Sequence, residues 1–352
     1  MNKTRPVIGI TAGDPSGIGP EICVKALAID DVYGKAVPVV YSDRVVLEDA
    51  LKITGKNFIL NSIKKPDEAL GKTGTIDFID AGIIAGPGDY SHGSIGVKSG
   101  DASFAYIEKA IADTSSGAIA AVVTCPISKE AINLAGHHYA GHTEIFAAYT
   151  NTEDYGMLLS ARSGSSVLNV IHVTTHVSLR RACELITEDR VYKTIVLADR
   201  ALAMMGSKTR RIAVAGLNPH SSENGLFGSE EADAIMPAIR RAKSEGMDVT
   251  GPLPPDTVFV KTLGGQFDIA VAMYHDQGHI PLKLCGFVMG KDNALSEARG
   301  VNATIGLPII RTSVDHGTAF DIAGRNIADE GSLLDAIDMA VMFAVNGAVK
   351  KN

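Results

Sequence analysis

The chain has no tryptophan, few other aromatic residues and no excess of basic residues, and these shortages exclude several classes of protein. Aromatic residues make up 5% of the 352 residues, charged residues make up 21%, and the formal net charge is −7. Nucleic acids are held by clustered cations and stacking rings, so we expect no nucleic-acid partner. No apolar run approaches the roughly 20 residues of a membrane helix, so we expect no membrane partner.

Cysteine is also scarce. The four cysteines, Cys23, Cys125, Cys183 and Cys285, stand singly in apolar surroundings, which fits reduced thiols better than a disulfide framework or a zinc ribbon. Cys125 lies in the polar turn TCPISK, but the neighbouring sequence offers no base that would make it a nucleophile. The first residues lack the apolar region of a signal peptide, and we expect a cytoplasmic protein.

What the chain does have is short runs rich in Val, Ile and Ala that alternate with amphipathic stretches. Predicted strands cover residues 7–11, 37–41, 118–124, 167–174, 211–217 and 268–274. Predicted helices cover residues 20–29, 102–114, 190–205 and 230–244. Near-continuous apolar strands between helices predict an α/β fold with a mostly parallel sheet that is covered on both faces.

Three histidines each follow a different predicted strand. They are His176 in THVSLR, His220 in NPHSSENG and His275 in HDQGH. The carboxyl ends of parallel strands meet at one edge of a sheet, where α/β proteins bind their ligands. The repeated placement favours one divalent metal with an open position for a substrate oxygen. Loop histidines that only complete hydrogen bonds are the alternative, and the spacing alone leaves it open.

Other polar side chains at strand ends suit an anionic substrate. Lys129 in TCPISK and His142 in GHTEIF follow a further strand, and Lys283 lies on the same segment as His275. Arg311, in IIRTSVDHG, can hold a phosphate or a carboxylate with two hydrogen bonds. An ordinary polar loop around Lys129 and a structural ion pair at Arg311 are the alternatives.

Two glycine-rich segments could approach a nucleotide. GDPSGIGPE, with Gly13, Asp14 and Gly17, follows the first strand and opens a helix, so its amides could face an anion. It is neither GxGxxG nor a Walker motif, and a tight turn alone would explain its glycines. In DHGTAFDIAGRNIAD, Gly317 permits a close backbone approach and Asp321 could accept a hydrogen bond from a ribose hydroxyl.

Taken together, these motifs closely resemble the PdxA family, the 4-hydroxythreonine-4-phosphate dehydrogenases and their relatives. The resemblance rests on GDPSGIGPE, GHTE, NPHxxExGxFGxEE, YHDQGH and GVNATIGLPIIRTSVDHGTAFDIAG, and it covers nearly the whole chain. THVSLR, HDQGH and GTAFDIAG are more similar to the D-threonate and D-erythronate 4-phosphate dehydrogenase branch than to the vitamin B6 enzymes.

The resemblance implies a fold of the isocitrate/isopropylmalate dehydrogenase type. That fold has two α/β lobes, a central mostly parallel sheet and an active-site cleft between the lobes. It also implies a homodimer with a shared active site. We expect a nucleotide-associated lobe formed by residues 1–125 and 301–352, and a metal-binding and dimerisation lobe formed by residues 126–300.

The resemblance further implies roles for individual residues. The implied metal ligands are His176, His220 and His275, the last reaching the site of the neighbouring subunit, and the implied substrate-binding residues are His142, Thr143, Lys283, Asn302 and Arg311. The expected cofactor-binding set is Gly13, Asp14, Gly17, His316, Gly317 and Asp321. DHGTAFDIAG resembles the adenosine-binding loop of isopropylmalate dehydrogenases, which implies His316 near the adenine and Asp321 on the ribose diol. The carboxylate favours NAD over NADP, because a 2′-phosphate would meet a negative charge.

One segment departs from the family pattern. Between Phe287 and Gly300 the chain carries VMGKDNALSEAR, residues 288–299, where family members generally have a much shorter link. The relative placement of Lys283 and Asn302 is therefore open, and the additional segment could reshape the phosphate end of the pocket.

The expected activity is metal-dependent oxidation by NAD of a small phosphorylated hydroxy acid. The C3 hydroxyl of 4-phospho-D-threonate or 4-phospho-D-erythronate would be oxidised, and decarboxylation would yield dihydroxyacetone phosphate. Zinc, cobalt or magnesium would suit the expected site. Asp276 and Lys129 are the candidates for the group that takes the hydroxyl proton.

Three other functions remain open. The first is a 4-phosphooxy-L-threonine dehydrogenase of pyridoxal phosphate biosynthesis, and the second is a cis-dihydrodiol dicarboxylate dehydrogenase. The third, of a different class, is a non-catalytic protein that binds a metal or a phosphate ester.

Overall fold

The structure is a computed structural model that describes residues 5–289 and 295–347. The strands in these residues are β1 (Val7–Thr11), β2 (Val37–Ser42), β3 (Ile59–Ile63), β4 (Thr75–Asp80), β5 (Ala121–Thr124), β6 (Gly156–Ser163), β7 (Ser166–His172), β8 (Ile212–Ala215), β9 (Val249–Leu253), β10 (Ile269–Ala272), β11 (Phe287–Met289), β12 (Leu295–Ala298), β13 (Gly300–Ile305) and β14 (Arg311–Val314). The helices are α1 (Gly19–Leu27), α2 (Asp30–Lys35), α3 (Arg44–Thr54), α4 (Val97–Ser115), α5 (Lys129–Leu134), α6 (His142–Tyr149), α7 (Leu179–Glu184), α8 (Glu188–Met204), α9 (Met236–Ser244), α10 (Pro255–Leu263), α11 (His275–Gly286) and α12 (Gly331–Asn346).

The chain divides into two compact units. The first comprises residues 5–153 and 307–345, and the second comprises residues 154–289, 295–306 and 346–347. The division falls later than the expected boundaries at 125/126 and 300/301, because α5 packs tightly on α4 in the first unit. A Cβ at Gly100 of α4 would lie 2.1 Å from the carbonyl oxygen of Ala131 in α5.

The first unit has six strands in the order β3-β4-β2-β1-β5-β14. All of their pairings are parallel. Every residue of β5 is buried, as is typical of a parallel strand covered on both faces. Because β1, β5 and β14 are neighbours and run in the same direction, the loops that follow them emerge at one edge of the sheet.

The second unit has six strands in the order β13-β6-β7-β10-β8-β9. Strands β7, β10, β8 and β9 are parallel, whereas β6 is antiparallel to both β13 and β7. Strands β8 and β10 share the sequence IAVA, and all eight of these residues are buried. His176, His220 and His275 follow β7, β8 and β10. Because these strands are parallel, their carboxyl ends lie at one edge of the sheet.

The additional segment forms part of a short antiparallel hairpin made by β11 and β12. Residues 290–294 of this segment lie outside the described residues. The α/β class and the mostly parallel strands expected from the sequence are confirmed. None of the helices in the described ranges is both long enough and apolar enough to cross a membrane.

Candidate active site

In the first unit, the expected anion-binding side chains lie around Arg311 at the start of β14. Arg311 is only 3% exposed, and its Nη2 donates to the hydroxyl of Thr124 at the end of β5, at 2.8 Å. The guanidinium carbon lies 5.7 Å from the centroid of the Phe146 ring in α6. His142 is the first residue of α6 and Lys129 the first of α5, so these helices bring two further polar groups to the same region.

Burial and charge set the ionisation of this group. Burial, followed by the charges of Arg311 and Lys129, holds the pKa of His142 well below its ordinary value, so its imidazole is neutral at pH 7. Burial also lowers the pKa of Arg311 to about 9, and the nearby Glu144 opposes that shift. The guanidinium therefore still carries its charge at pH 7.

One nitrogen of His142 is available to a ligand. Its Nε2 is buried and has no hydrogen-bond partner among the residues that the structure describes. A buried polar atom without a partner is unfavourable unless a ligand or water satisfies it. A buried guanidinium with a neutral imidazole beside it is suited to bind phosphate or carboxylate. Thr143 follows in the first turn of α6 and is half-buried.

The GDPSGIGPE segment joins β1 to α1, as expected. Gly13 adopts a left-handed conformation with φ of 76°, and a Cβ there would lie 2.3 Å from the carbonyl oxygen of Pro126. A Cβ at Gly17 would lie 2.9 Å from the carbonyl oxygen of Thr318. Close contacts within the chain therefore account for both glycines without a nucleotide.

Asp14 is the unusual residue of this segment. It is fully buried, and burial raises its pKa to about 6, against the hydrogen bond that its Oδ1 accepts from the Ser16 N–H at 2.9 Å. Its Oδ2 has no hydrogen-bond partner within the described residues. Asp14 is thus a carboxyl group with a free oxygen and a pKa near neutrality.

The loop that contains Asp321 is held against α1. The carbonyl oxygen of Thr318 accepts a hydrogen bond from the Ile18 N–H at 3.0 Å. The Glu21 carboxylate, 1% exposed, accepts hydrogen bonds from the backbone N–H groups of Gly324 and Asn326. The sequence analysis missed Glu21. Its place as the last residue of the GDPSGIGPE motif was a usable signal.

The expected nucleotide-binding residues of this loop have few fixed contacts. Asp321 and Gly317 are exposed. The Nδ1 of His316 lies 3.0 Å from the carbonyl oxygen of Gly317. Lys25 of α1 donates to the carbonyl oxygens of Asn326 and Ala328, at 3.0 and 2.7 Å. The backbone of the loop is therefore fixed from α1, while Asp321 faces solvent.

In the second unit, two of the three expected metal ligands lie side by side. The ring centroids of His176 and His275 are 5.7 Å apart. Both line a cavity of about 460 Å³, together with Thr175, Val177, Leu179, Ala182, Tyr274 and Asp276. The His275 Nδ1 lies 2.6 Å from Asp276 Oδ1. When Nδ1–H donates to this carboxylate, the Nε2 of His275 keeps a lone pair that can bind a metal.

His220 is not among the residues that line this cavity. It is exposed on the loop after β8, where five consecutive residues from His220 to Asn224 have positive φ values between 44° and 63°. Such a run is strained for residues other than glycine and is typical of functional loops. Within residues 5–289 and 295–347, no three His, Cys, Asp or Glu side chains of one chain are arranged to hold a metal ion.

The remaining expected residues of the second unit lie on α11 and β13. The Lys283 ammonium lies 3.9 Å from the centroid of the Phe287 ring. Asn302 pairs with Leu159 of β6, and its Oδ1 is buried without a hydrogen-bond partner among the described residues. Asp276, a candidate for the proton acceptor, is mostly exposed and contacts His275.

The sequence analysis missed two further histidines of this unit. His279 stacks on His275 with ring centroids 3.6 Å apart, and the buried His172 lies 4.7 Å from His279. The spacing of His275 and His279 was a usable signal, because residues four apart in a helix face the same side.

Imidazoles that follow parallel strands, and a buried arginine that donates to Thr124 at the end of β5, are typical of an α/β enzyme that acts on a small anionic substrate. The family model described as "Pyridoxal phosphate biosynthetic protein PdxA" matches residues 34–340. The chain belongs to the PdxA family. It is a dehydrogenase, as its relatives in this family are named.

Three relatives illustrate the range of the family. The chain is 47% identical over 349 residues to the D-threonate 4-phosphate dehydrogenase of Cupriavidus necator, covering 99% of this chain and 100% of the relative. A crystal structure of 4-hydroxythreonine-4-phosphate dehydrogenase from Klebsiella pneumoniae has 44% identity and a TM-score of 0.84, covering 98% and 99% of the two chains. A terephthalate 1,2-cis-dihydrodiol dehydrogenase from Burkholderia xenovorans has 30% identity and a TM-score of 0.67, covering 96% and 98%.

Proposed function

We propose that the protein oxidises the C3 hydroxyl of 4-phospho-D-threonate or 4-phospho-D-erythronate with NAD, in a reaction that depends on a divalent metal. The observation that carries the proposal is the 47% identity to a D-threonate 4-phosphate dehydrogenase across the whole of both chains. The buried Arg311 beside His142 supports an anionic substrate independently of that relative.

The overall reaction consists of an oxidation and the loss of carbon dioxide. Oxidation at C3 removes a hydride and a proton and leaves a keto group beta to the carboxylate. A beta-keto acid of this kind loses carbon dioxide, C2 takes a proton, and the product is dihydroxyacetone phosphate. NAD would supply the hydride acceptor.

The first unit would bind one anionic end of the substrate. Arg311 offers two parallel N–H donors to phosphate or carboxylate, and burial strengthens the interaction because water does not compete. His142 would hydrogen-bond through its unsatisfied Nε2, and Thr143 through its hydroxyl. Lys283 and Asn302 of the second unit remain proposed substrate-binding residues.

The donors of the second unit fit a divalent metal. The ring centroids of His176 and His275 are 5.7 Å apart, so two imidazoles lie side by side in the second unit. Imidazole nitrogen is a common ligand of zinc. The Asp276 carboxylate contacts the Nδ1 of His275 and leaves Nε2 for the metal. A carboxylate is a common outer partner of a histidine ligand. A zinc, cobalt or magnesium ion there would supply a Lewis acid that lowers the pKa of the substrate hydroxyl.

His220 is the third ligand in this proposal, and a second copy of the chain completes the site. The positive-φ run of its loop supports a functional role. No three His, Cys, Asp or Glu side chains within the described residues of one chain are arranged for a metal, which supports a ligand set drawn from two chains, with His275 supplied by the neighbouring subunit as the resemblance implies. Activity would then return when H220A and H275A chains are mixed in one dimer, because one of the two shared sites is intact. We expect about a quarter of the wild-type rate from random mixing, whereas a site built from one chain would give none.

The proton acceptor for the hydroxyl is either Asp276 or Lys129. Asp276 Oδ1 contacts His275, so its main role in this proposal is to orient that ligand. Lys129 is exposed at the start of α5 and acts electrostatically on His142. A pH–rate profile of D276N and of K129M distinguishes the two candidates. Only loss of the acceptor removes the low-pH limb, where protonation of the acceptor abolishes activity.

Turnover of a small substrate panel tests the proposed function. The panel contains 4-phospho-D-threonate, 4-phospho-D-erythronate, 4-phosphooxy-L-threonine and a terephthalate cis-dihydrodiol, each with NAD and with NADP. We expect the highest kcat/KM with one of the first two and NAD. The highest value with either of the last two would assign the protein to the corresponding relative, and metal binding without turnover of any of the four would assign a non-catalytic role.

The metal assignment has its own test. H220A is expected to lose activity and metal affinity without unfolding, whereas H138A, which removes an exposed histidine of the first unit, is expected to keep both. Near-normal turnover of H220A would reject His220 as a ligand.

A further inference from the structure

Four residues form a column in the second unit that ends at His275. His172, at the end of β7, is 1% exposed and packs directly against Gly278 of α11. A Cβ at residue 278 would lie 2.2 Å from the His172 Nε2, so any larger residue there would displace the imidazole. His279 is next in the column, with its ring centroid 4.7 Å from that of His172.

The contact between His279 and His275 is close and nearly parallel. The ring centroids are 3.6 Å apart and the ring planes differ by 11°. The Nδ1 of His279 lies 2.9 Å from the carbonyl oxygen of His275, one helical turn earlier, so the orientation of His279 is itself fixed. His279 thus rests on the buried His172 on one side and on His275 on the other.

Asp276 alone would hold the His275 imidazole weakly. The contact between Asp276 Oδ1 and His275 Nδ1 is 2.6 Å, but the Asp276 side chain is 70% exposed, where water competes for the carboxylate. A hydrogen bond to one ring nitrogen sets which nitrogen carries the proton, yet it leaves the ring free to turn about that bond. The plane of the ring needs a second contact.

We propose that His279 provides that contact and is a positioning residue for His275. Its ring fixes the plane of the His275 imidazole, while Asp276 fixes the protonated nitrogen, so that Nε2 is held ready for the divalent cation. His279 acts only through His275 and does not bind the cation. The inference rests on the proposed metal site, and it adds a role for His279 that the ligand set does not contain.

Metal affinity of the full-length protein without substrate or nucleotide tests the proposal. Zn²⁺ is titrated in competition with a chromophoric chelator, and the visible absorption of bound Co²⁺ gives a second measure of the ligand geometry. H279A removes the stacked ring, and we expect its Zn²⁺ affinity to fall by about 10- to 100-fold, as for other outer partners of metal ligands. H279F keeps an aromatic ring on His275, and we expect its affinity to stay within about threefold of the wild type.

A matched control is available in the first unit. His137 stacks on Phe104 with centroids 3.8 Å apart and planes 8° apart, and its Nε2 lies 3.0 Å from Asp101. H137A therefore removes an equally stacked imidazole that has no part in the metal site, and its Zn²⁺ affinity should equal that of the wild type. Circular dichroism and thermal unfolding of all variants check that each is folded.

The outcomes separate this inference from the function it rests on. Wild-type affinity in H279A, in a protein whose metal binding is abolished by H275A, overturns the positioning role alone. Equal losses in H279A and H279F overturn the stacking assignment, because only the imidazole would then matter. Absence of metal binding by the wild type overturns the proposed metal site and the role of His279 together.

Discussion

Glu231 holds Asn218 at the point where the His220 loop leaves β8. Its Oε1 accepts the backbone N–H of Asn218 at 2.7 Å, and its Oε2 accepts the side-chain amide of Asn218 at 2.9 Å. A third hydrogen bond comes from the Leu217 N–H at 2.8 Å. Glu231 is 3% exposed, so these hydrogen bonds are shielded from water. The position of His220 therefore depends on the carboxylate of Glu231, which lies eleven residues further along the chain.

Replacing Glu231 with Gln should loosen the loop. The amide NH₂ of Gln would face an N–H group whose hydrogen bond the carboxylate now accepts, so two donors would meet. We expect the free energy of unfolding to fall by about 1 to 3 kcal/mol. Zn²⁺ affinity should fall by about tenfold, because His220 loses its fixed position. Urea denaturation and chelator competition measure the two effects. E223Q, an exposed substitution on the same loop, is the control, and equal results for both variants would contradict the role of Glu231.

Replacing Glu21 with Gln should affect the nucleotide before it affects the metal. Glu21 accepts two backbone N–H groups of the loop that carries Asp321, and Gln can accept only one of them well. We expect the Michaelis constant for NAD to rise about tenfold, a loss of about 1.4 kcal/mol, with Zn²⁺ affinity unchanged. E48Q, on the exposed side of α3, is the matched control. An unchanged Michaelis constant for NAD in a folded E21Q would count against the loop as the nucleotide site.

Replacing Asp14 with Asn should stabilise the folded protein at pH values above the ordinary pKa of Asp, 3.8, and leave its stability unchanged below that pH. Burial raises the pKa of Asp14 from 3.8 to about 6, so the folded state binds the proton more tightly than the unfolded state. The contribution of Asp14 to stability is then fully present below pH 3.8 and is lost as the pH rises through 6. D14N cannot ionise, and we expect it to be more stable than the wild type by about 1 to 3 kcal/mol at pH 8 and equally stable near pH 3.5. Thermal unfolding from pH 3.5 to 8 measures this, and parallel stability curves for the two proteins would refute it.

The sequence predicted the strands that are near-continuous apolar runs and missed strands with more polar residues, including the fully buried β14 with the sequence RTSV. Strands β1, β2, β5, β7, β8 and β10 were all predicted, because parallel strands buried on both faces are near-continuous apolar runs. Strand β6 was missed because its sequence GMLLSARS mixes buried and exposed positions, and β3 because only one of its residues, Ile63, is buried. The lobe boundaries were not legible, because no linker marks them and α5 and α6 belong to the first unit through packing on α4.

The sequence likewise predicted some residues of the candidate site and missed others. Placement just after strands predicted that His176, His220 and His275 lie at one edge of the sheet, since that edge is set by strand direction. The supporting residues Glu21, Glu231 and His279 were not found. Their partners are backbone N–H groups or a ring one turn away, and no composition or spacing rule reports such contacts before the loops are folded.

Arg311 gives the sharpest test of the substrate site, because its substitution should separate binding from stability. Burial lowers the pKa of Arg311, which means that the charged guanidinium is less favourable in the folded protein than in water. We expect R311M to change the free energy of unfolding of the ligand-free protein by no more than about 1 kcal/mol. The Michaelis constant for the phosphorylated substrate should rise by at least about 30-fold, since a buried charged hydrogen-bond partner contributes about 2 kcal/mol or more.

R311K completes this test. It keeps the positive charge but loses the planar pair of donors, so we expect an effect between the wild type and R311M. The measurements are steady-state kinetics and the shift of Tm with added inorganic phosphate, which stabilises the folded state only where it binds. A phosphate-induced shift in R311M equal to that of the wild type would show that the anion binds elsewhere, and would remove Arg311 from the proposed substrate site.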